Sequence, residues 1–146
     1  MTDVRKPFSK SLYNDDDNAK DLIVRWLLRK GYDAKVNPDD YGIDVLAEKN
    51  GKHYEFEVEV KHNWKGMNFP FRTLHYADRK LKFLNPGGEK KTTVFITLND
   101  ERTHALTVTN EILTRCQIVT KNTIYTKDEK FIEVPIQDCY LVEIDE

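Results

Sequence analysis

Cysteine is scarce in this chain: Cys116 and Cys139 are the only two in 146 residues, far apart, without Cys-x-x-Cys spacing and without a neighbouring pair of histidines. That excludes a disulfide framework and a structural zinc site, so both thiols are expected to be inert and the compartment reducing. Long apolar runs are missing too. No stretch approaches membrane-spanning length, and the opening MTDVRKPFSKSLYNDDD lacks the apolar centre of a signal peptide, so a cytoplasmic protein without a membrane partner is expected. Repeats, low-complexity tracts and linkers are absent as well. With 39% apolar and 33% charged residues, a chain of this length suits one domain with its own core.

A strong excess of positive charge is also lacking. The formal net charge of -2 argues at first against nucleic acid, because phosphate binding is largely the work of Lys and Arg. The average conceals an asymmetry. Between Lys61 and Lys91 there are eight basic residues (Lys61, Lys65, Arg72, Arg79, Lys80, Lys82, Lys90, Lys91) against Asp78 and Glu89, a local net of +6. A grooved polyanion meets such a segment and not the total, so a basic face remains open.

Several elements can be placed from pattern. Asp15 to Lys30 is expected to be a helix with Asn14 or Asp15 as N-cap, aspartates at its positive end, and Gly31 as its stop. Ala19, Leu22, Ile23, Trp26 and Leu27 form its buried stripe. A second helix is expected over Thr73 to Leu84, with Leu74, Ala77, Leu81 and Leu84 on one face, ended by Asn-Pro-Gly-Gly at 85–88. Strands are expected at Ile43 to Glu48, His53 to Lys61, Thr92 to Leu98 and His104 to Thr109, with one or two more between Phe131 and Ile144. The order αββαβ with further strands indicates a mixed α/β domain.

The most informative segment is the hairpin around Asn50-Gly51, a dipeptide whose two positions both accept the positive φ of a tight turn. A two-residue loop makes paired positions sum to 101, so Asp44 faces Glu57 and has Glu59 as its diagonal neighbour. Glu57, Glu59 and Lys61 then share a face, with Tyr54, Phe56, Val58 and Val60 on the other. Opposed residues are roughly 5 Å apart at Cβ and diagonal ones about 7–8 Å. Like charges gathered in this way destabilise a strand pair unless something neutralises them. A hard divalent ion such as Mg²⁺, held by Asp44, Glu59 and the Val60 carbonyl with waters, would do so, and Mn²⁺ would substitute. Lys61 would be the adjacent point charge, assisting a water that attacks a phosphodiester. Glu57 is either a further metal ligand or the solvent side of a strand.

These residues resemble the PD-(D/E)XK nuclease superfamily, which includes many restriction endonucleases and archaeal-type Holliday junction resolvases. Its pattern, an Asp opening one strand and Glu/Asp-x-Lys on the hairpin partner, reads here as Gly42-Ile43-Asp44-Val45 followed by Glu59-Val60-Lys61. Acid-x-Lys also occurs at Asp33-Ala34-Lys35, Asp78-Arg79-Lys80, Glu89-Lys90-Lys91 and Asp128-Glu129-Lys130. Only Glu59-Val60-Lys61 lies in a clear strand with a paired upstream Asp. The literal Pro38-Asp39 precedes Asp44 by roughly 16 Å of extended chain, so Asp39 and Asp40 rank below Asp44. Relatives often place a Glu in the first helix; this helix has only aspartates, of which Asp17 and Asp21 are the accessory candidates.

The resemblance spans Asp15 to Leu98 and implies a restriction-endonuclease-like core, a central mixed β-sheet flanked by helices in αβββαβ order. One nuclease-like domain is expected over 1–146: a flexible arm at 1–14, the core at 15–98, and added strands or helix at 100–146. The implied activity is Mg²⁺-dependent hydrolysis of duplex or branched DNA, with Asp44, Glu59 and Lys61 catalytic, as a homodimer where both strands are cut. Lys65, Arg72, Arg79 and Lys80 would meet the nucleic acid. The rival expectation is a catalytically inactive nuclease-like DNA-binding or assembly module. His62 and Trp64 could touch DNA, although a loop Trp is as often a lid on the core, and His75 and Tyr76 could approach the phosphate or simply pack.

Overall fold

In the computed structural model, which describes residues 10–39, 43–77, 91–123 and 127–144, helix α1 (Lys10–Arg29) lies against a six-stranded sheet. The helix opens five residues before Asp15, so Asn14 and Asp15 are not its N-cap, and the first turn carries no acid. The reason is local: neither Gly nor Pro occurs between Pro7 and Gly31, so nothing stops the helix from extending backwards. At the other end Gly31 takes φ +91°, and the N–H groups of Gly31 and Tyr32 return to the Leu28 and Leu27 carbonyls. This is a Schellman ending, which satisfies orphan carbonyls. Lys49 adds to it by donating to the Lys30 carbonyl at 2.9 Å while sitting over the Tyr32 ring.

After the helix come β1 (Asp33–Val36), β2 (Val45–Lys49), β3 (Lys52–Lys61), β4 (Thr73–Ala77), β5 (Lys91–Asn99), β6 (His104–Thr109), α2 (Asn110–Leu113), β7 (Gln117–Lys121), β8 (Glu129–Pro135) and β9 (Tyr140–Glu143). The large sheet runs β1-β2-β3-β5-β6-β9, and a smaller one runs β4-β8-β7. Strand β3 pairs antiparallel with β2 and parallel with β5, which makes the sheet mixed. The hairpin register is the expected one: Lys49 faces Lys52 and Val45 faces Phe56, with Asn50 and Gly51 at φ 54° and 79° as a type I′ turn demands.

Two cores follow from the alternation along β3 and β5. On one face Val45, Ala47, Phe56, Ile96 and Leu98 meet the Ala19, Leu22, Ile23, Trp26 and Leu27 stripe of α1. On the other, Phe95, Leu106 and Val108 meet Leu74, Tyr76, Ile132 and Val134 of the small sheet, with Trp64 fully buried among them. The molecule is thus a helix, a mixed sheet and a second sheet in layers.

The expected helix at Thr73 to Leu84 is corrected over its first five residues, which form β4. Leu74 and Tyr76 are buried while Thr73, His75 and Ala77 are half-exposed, a period of two set by the ladder to β8. The leucines at helical spacing suited a helix, but β-branched and aromatic residues beside a waiting edge favoured a strand. The remainder of that expectation, with Arg79, Lys80 and the Asn-Pro-Gly-Gly stop, lies outside the described residues. The pattern gave no positions for β1, β7 and the short α2, although the αβββαβ order includes a third strand after the first helix and added strands or helix were expected over 100–146.

The helix–sheet core makes a quantitative expectation. Ile23 is fully buried in it, so Ile23→Ala should lower the unfolding free energy by about 2–5 kcal/mol, measured by urea denaturation. A loss below about 0.5 kcal/mol, the range of surface substitutions, would contradict this packing.

Candidate functional site

The site assembles where β2 joins the sheet beside β3. Asn37 closes the loop that precedes β2: its backbone N–H donates to the Asp44 carbonyl at 2.9 Å and its side-chain amide donates to the Ile43 carbonyl at 2.9 Å. Asp39 lies in that loop, exposed, its N–H turned back to the Asn37 side chain, and Asp40 lies outside the described residues.

Asp44 immediately precedes β2, one residue beyond the Val45–Phe56 pair that ends the ladder, so continuing the register by one step sets it opposite Glu57. Its carboxylate turns to the strand edge. Oδ2 accepts the Val58 N–H at 2.8 Å, standing in for a ladder acceptor, and Oδ1 lies 3.4 Å from the Lys20 ammonium. Lys20 is the contact that sequence reasoning missed. It comes from α1, the helix in which an acid was sought, and its only signal was its place beside Ala19 at the rim of the apolar stripe. Asp21 points to solvent, and Asp17 lies on α1, which is as much as the structure describes of it.

Glu57 is 7% exposed, so the reading of it as the wet side of a strand is corrected; it sits between Asp44 and Phe95 across the sheet. A carboxylate removed this far from water costs folding free energy unless it is compensated. Glu59 is exposed, yet its Oε1 accepts from the Thr97 hydroxyl at 3.2 Å, and Thr97 Oγ1 lies 2.8 Å from the Tyr76 hydroxyl. Burial, with the Glu59 charge adding to it, pushes the Tyr76 phenol well above its ordinary value, so it remains a donor. Val60 and Lys61 complete β3, both half-buried, with Lys61 opposite Asn99.

Beyond Lys61 the chain is clamped to the β5–β6 turn. Asp100 receives His62 Nδ1 at 2.8 Å and the Lys65 ammonium, Glu101 accepts the Gly66 N–H at 2.7 Å, and Asn99 donates to the Gly66 carbonyl at 2.9 Å. Lys65 is therefore paired and exposed, and Arg72 is exposed. Trp64 is fully buried and meets Phe69 edge to face at 5.2 Å, which makes it part of the core and not a stacking platform. His75 faces Glu133 of β8 at 3.0 Å, on the small sheet. Burial pushes both thiols up, Cys139 to about 12, which suits inert groups.

Among the described residues no three Asp, Glu, His or Cys side chains converge as a metal cluster. The candidate donors at the hairpin are the carboxylates of Asp44, Glu57 and Glu59 and the Val60 carbonyl, all hard oxygens. Such a set fits Mg²⁺, which is commonly held by one or two carboxylates with several waters, and does not fit a soft ion.

This architecture, a mixed sheet with α1 on one face and the hairpin at its centre, is a nuclease-like fold of the resolvase and restriction-endonuclease type. In three dimensions it resembles Hjc of Archaeoglobus fulgidus, a Holliday junction resolvase from an archaeal hyperthermophile, with a TM-score of 0.56, 8% identity, and coverage of 83% of this chain and 84% of that one. No family model and no curated protein matches the sequence. No helix among the described residues is long and apolar enough to cross a membrane.

The clamp yields a titration. Lys65, then His62, hold the Asp100 carboxyl down from 3.8 to about 2 by hydrogen bonding to its charged form. A depressed carboxyl contributes stability that is present above pH 3.8 and is lost as the pH falls through about 2. A carboxyl ¹³C titration should place Asp100 near 2 and Lys65→Ala should raise it; an unmoved midpoint would remove the pairing.

Proposed function

We propose that this chain is a PD-(D/E)XK nuclease, a Mg²⁺-dependent endonuclease that hydrolyses DNA phosphodiester bonds. The supporting observation is the position of Glu59-Val60-Lys61 on the central strand β3, in hairpin register with Asp44, inside a resolvase-like fold. In this reading Asp44 and Glu59, with the Val60 carbonyl and Glu57 as further oxygens, hold the ion. Mg²⁺, when bound, neutralises charge on the phosphate that is being cleaved.

The chain's own residues do the rest. Val58 N–H and Lys20 hold the Asp44 carboxylate in place at the edge of β3. Lys61 orients the attacking water and stabilises the negative charge that develops on the phosphoryl oxygens. Lys65 and Arg72, with Arg79 and Lys80, supply cations to the backbone of the nucleic acid; Lys65 would exchange Asp100 for phosphate. Asp17 and Asp21 are accessory acids of α1. One domain carries one site, so a homodimer would be needed to cut both strands.

Plasmid, single-stranded, junction and RNA substrates with Mg²⁺ or Mn²⁺ test the reading. Lys61→Ala and Asp44→Ala should each slow cleavage by about 100-fold or more, the scale of losing an electrostatic contact made in the transition state, with far-UV circular dichroism unchanged. Cleavage at the parental rate by either variant would sink the assignment. No cleavage by the parent, with Glu59→Gln silent in metal titrations, would leave a binding module.

A further inference from the structure

Glu59 is the outer carboxylate of the hairpin, and a long exposed side chain ordinarily samples many rotamers. Here it is tied inward. Thr97 on β5 stands directly opposite Glu59 in the parallel ladder, and its hydroxyl donates to Glu59 Oε1. A threonine hydroxyl has a single proton. With that proton committed to Glu59, the 2.8 Å contact between Thr97 Oγ1 and the Tyr76 hydroxyl has Tyr76 as donor. Thr97 has no exposed surface and Tyr76 only 4%. The direction of the chain is therefore fixed: Tyr76 to Thr97 to Glu59, from the small sheet through β5 to the rim of β3.

We propose that Tyr76 and Thr97 are positioning residues that hold the Glu59 carboxylate in the orientation required to receive a divalent cation. This rests on the metal-dependent reading above. Buried hydroxyls in series polarise one another, and each is in a rotamer set by packing, Tyr76 edge to face with Phe95 at 5.0 Å. Outer hydrogen bonds of this kind orient a carboxylate ligand without touching the ion, and their loss typically costs 10–100-fold in metal affinity. Either hydroxyl can be removed with little change of shape, by Thr97→Val or Tyr76→Phe. Neither residue contacts the scissile bond in this account, so the first effect falls on the metal and not on chemistry.

The test measures Mn²⁺ binding to the full chain by calorimetry and electron paramagnetic resonance, beside cleavage as a function of Mg²⁺ concentration. Thr97→Val and Tyr76→Phe should weaken Mn²⁺ binding by about 10-fold or more, Thr97→Ser should restore it, and saturating Mg²⁺ should recover most of the parental cleavage rate. In a Glu59→Gln background Thr97→Val should add nothing further, because both act on one carboxylate. Parental Mn²⁺ affinity in folded Tyr76→Phe and Thr97→Val would overturn the relay while leaving the nuclease reading intact. A parent chain that takes up no Mn²⁺ would overturn the metal-dependent reading and the relay with it. Should Thr97→Val fail to fold, Tyr76→Phe, which removes one oxygen, decides alone.

Discussion

Nine consecutive residue pairs join β3 to β5 in parallel, from His53 opposite Lys91 to Lys61 opposite Asn99. Parallel neighbours cannot be linked by a tight turn, so this contact obliges the chain to leave the sheet after Lys61 and return from the far end. The excursion is where the molecule acquires β4 and, through β4, its second sheet. Because the pairing makes β3 internal, its two faces are buried against different layers. Tyr54, Phe56, Val58 and Val60 turn toward α1, and Glu57 and Glu59 toward Phe95 and Thr97. The charged face of the hairpin is thus held on a rigid strand and not on a loop.

The turn and register of the hairpin were legible in the sequence, although β2 begins at Val45 and not at Ile43, which leaves Asp44 just outside the strand. Asn50-Gly51 specifies its own turn type, and a two-residue loop leaves a single register, so the pairing of Asp44 with Glu57 could be found by arithmetic. The β6 boundaries and the stripe on α1 were legible for the same reason: their patterns are local. What could not be read was set by partners distant in sequence. Thr73 to Ala77 carries a helical period as well as an alternating one, and only the presence of β8 decides between them. Lys20 was hidden because a basic residue on a helix flank is ordinarily solvated, and its contact with Asp44 depends on how α1 crosses the sheet. The burial of Glu57 was hidden likewise, since alternation separates two faces without saying that both are covered.

The electrostatics beside Val58 and beyond Lys61 differ in a way that alternation alone does not reveal. Beside Val58 the Asp44 carboxylate accepts a backbone N–H and meets the Lys20 ammonium. Beyond Lys61, acids on the β5–β6 turn bind the loop containing His62, Lys65 and Gly66. The described start of the positive segment, from Lys61 to Lys65, is consequently part of a mixed-charge surface, in which Asp100 and Glu101 have a structural task. Asn99 is central to that task, accepting from the N–H groups of Thr103 and His104 through one side-chain oxygen while its amide reaches Gly66.

The parallel pairing also imposes an order of events on a growing chain. Glu59 and Thr97 are 38 residues apart. The hairpin can close as soon as Lys61 has left the ribosome, since its contacts are local, whereas the support of Glu59 must await β5. At about 5–20 residues per second, the acidic face of the hairpin is exposed for some seconds before its hydroxyl partners exist. Two fragments split between β3 and β4 would therefore part Glu59 from the Tyr76 and Thr97 hydroxyls, while Asp44 would keep Val58 and Lys20 on its own piece.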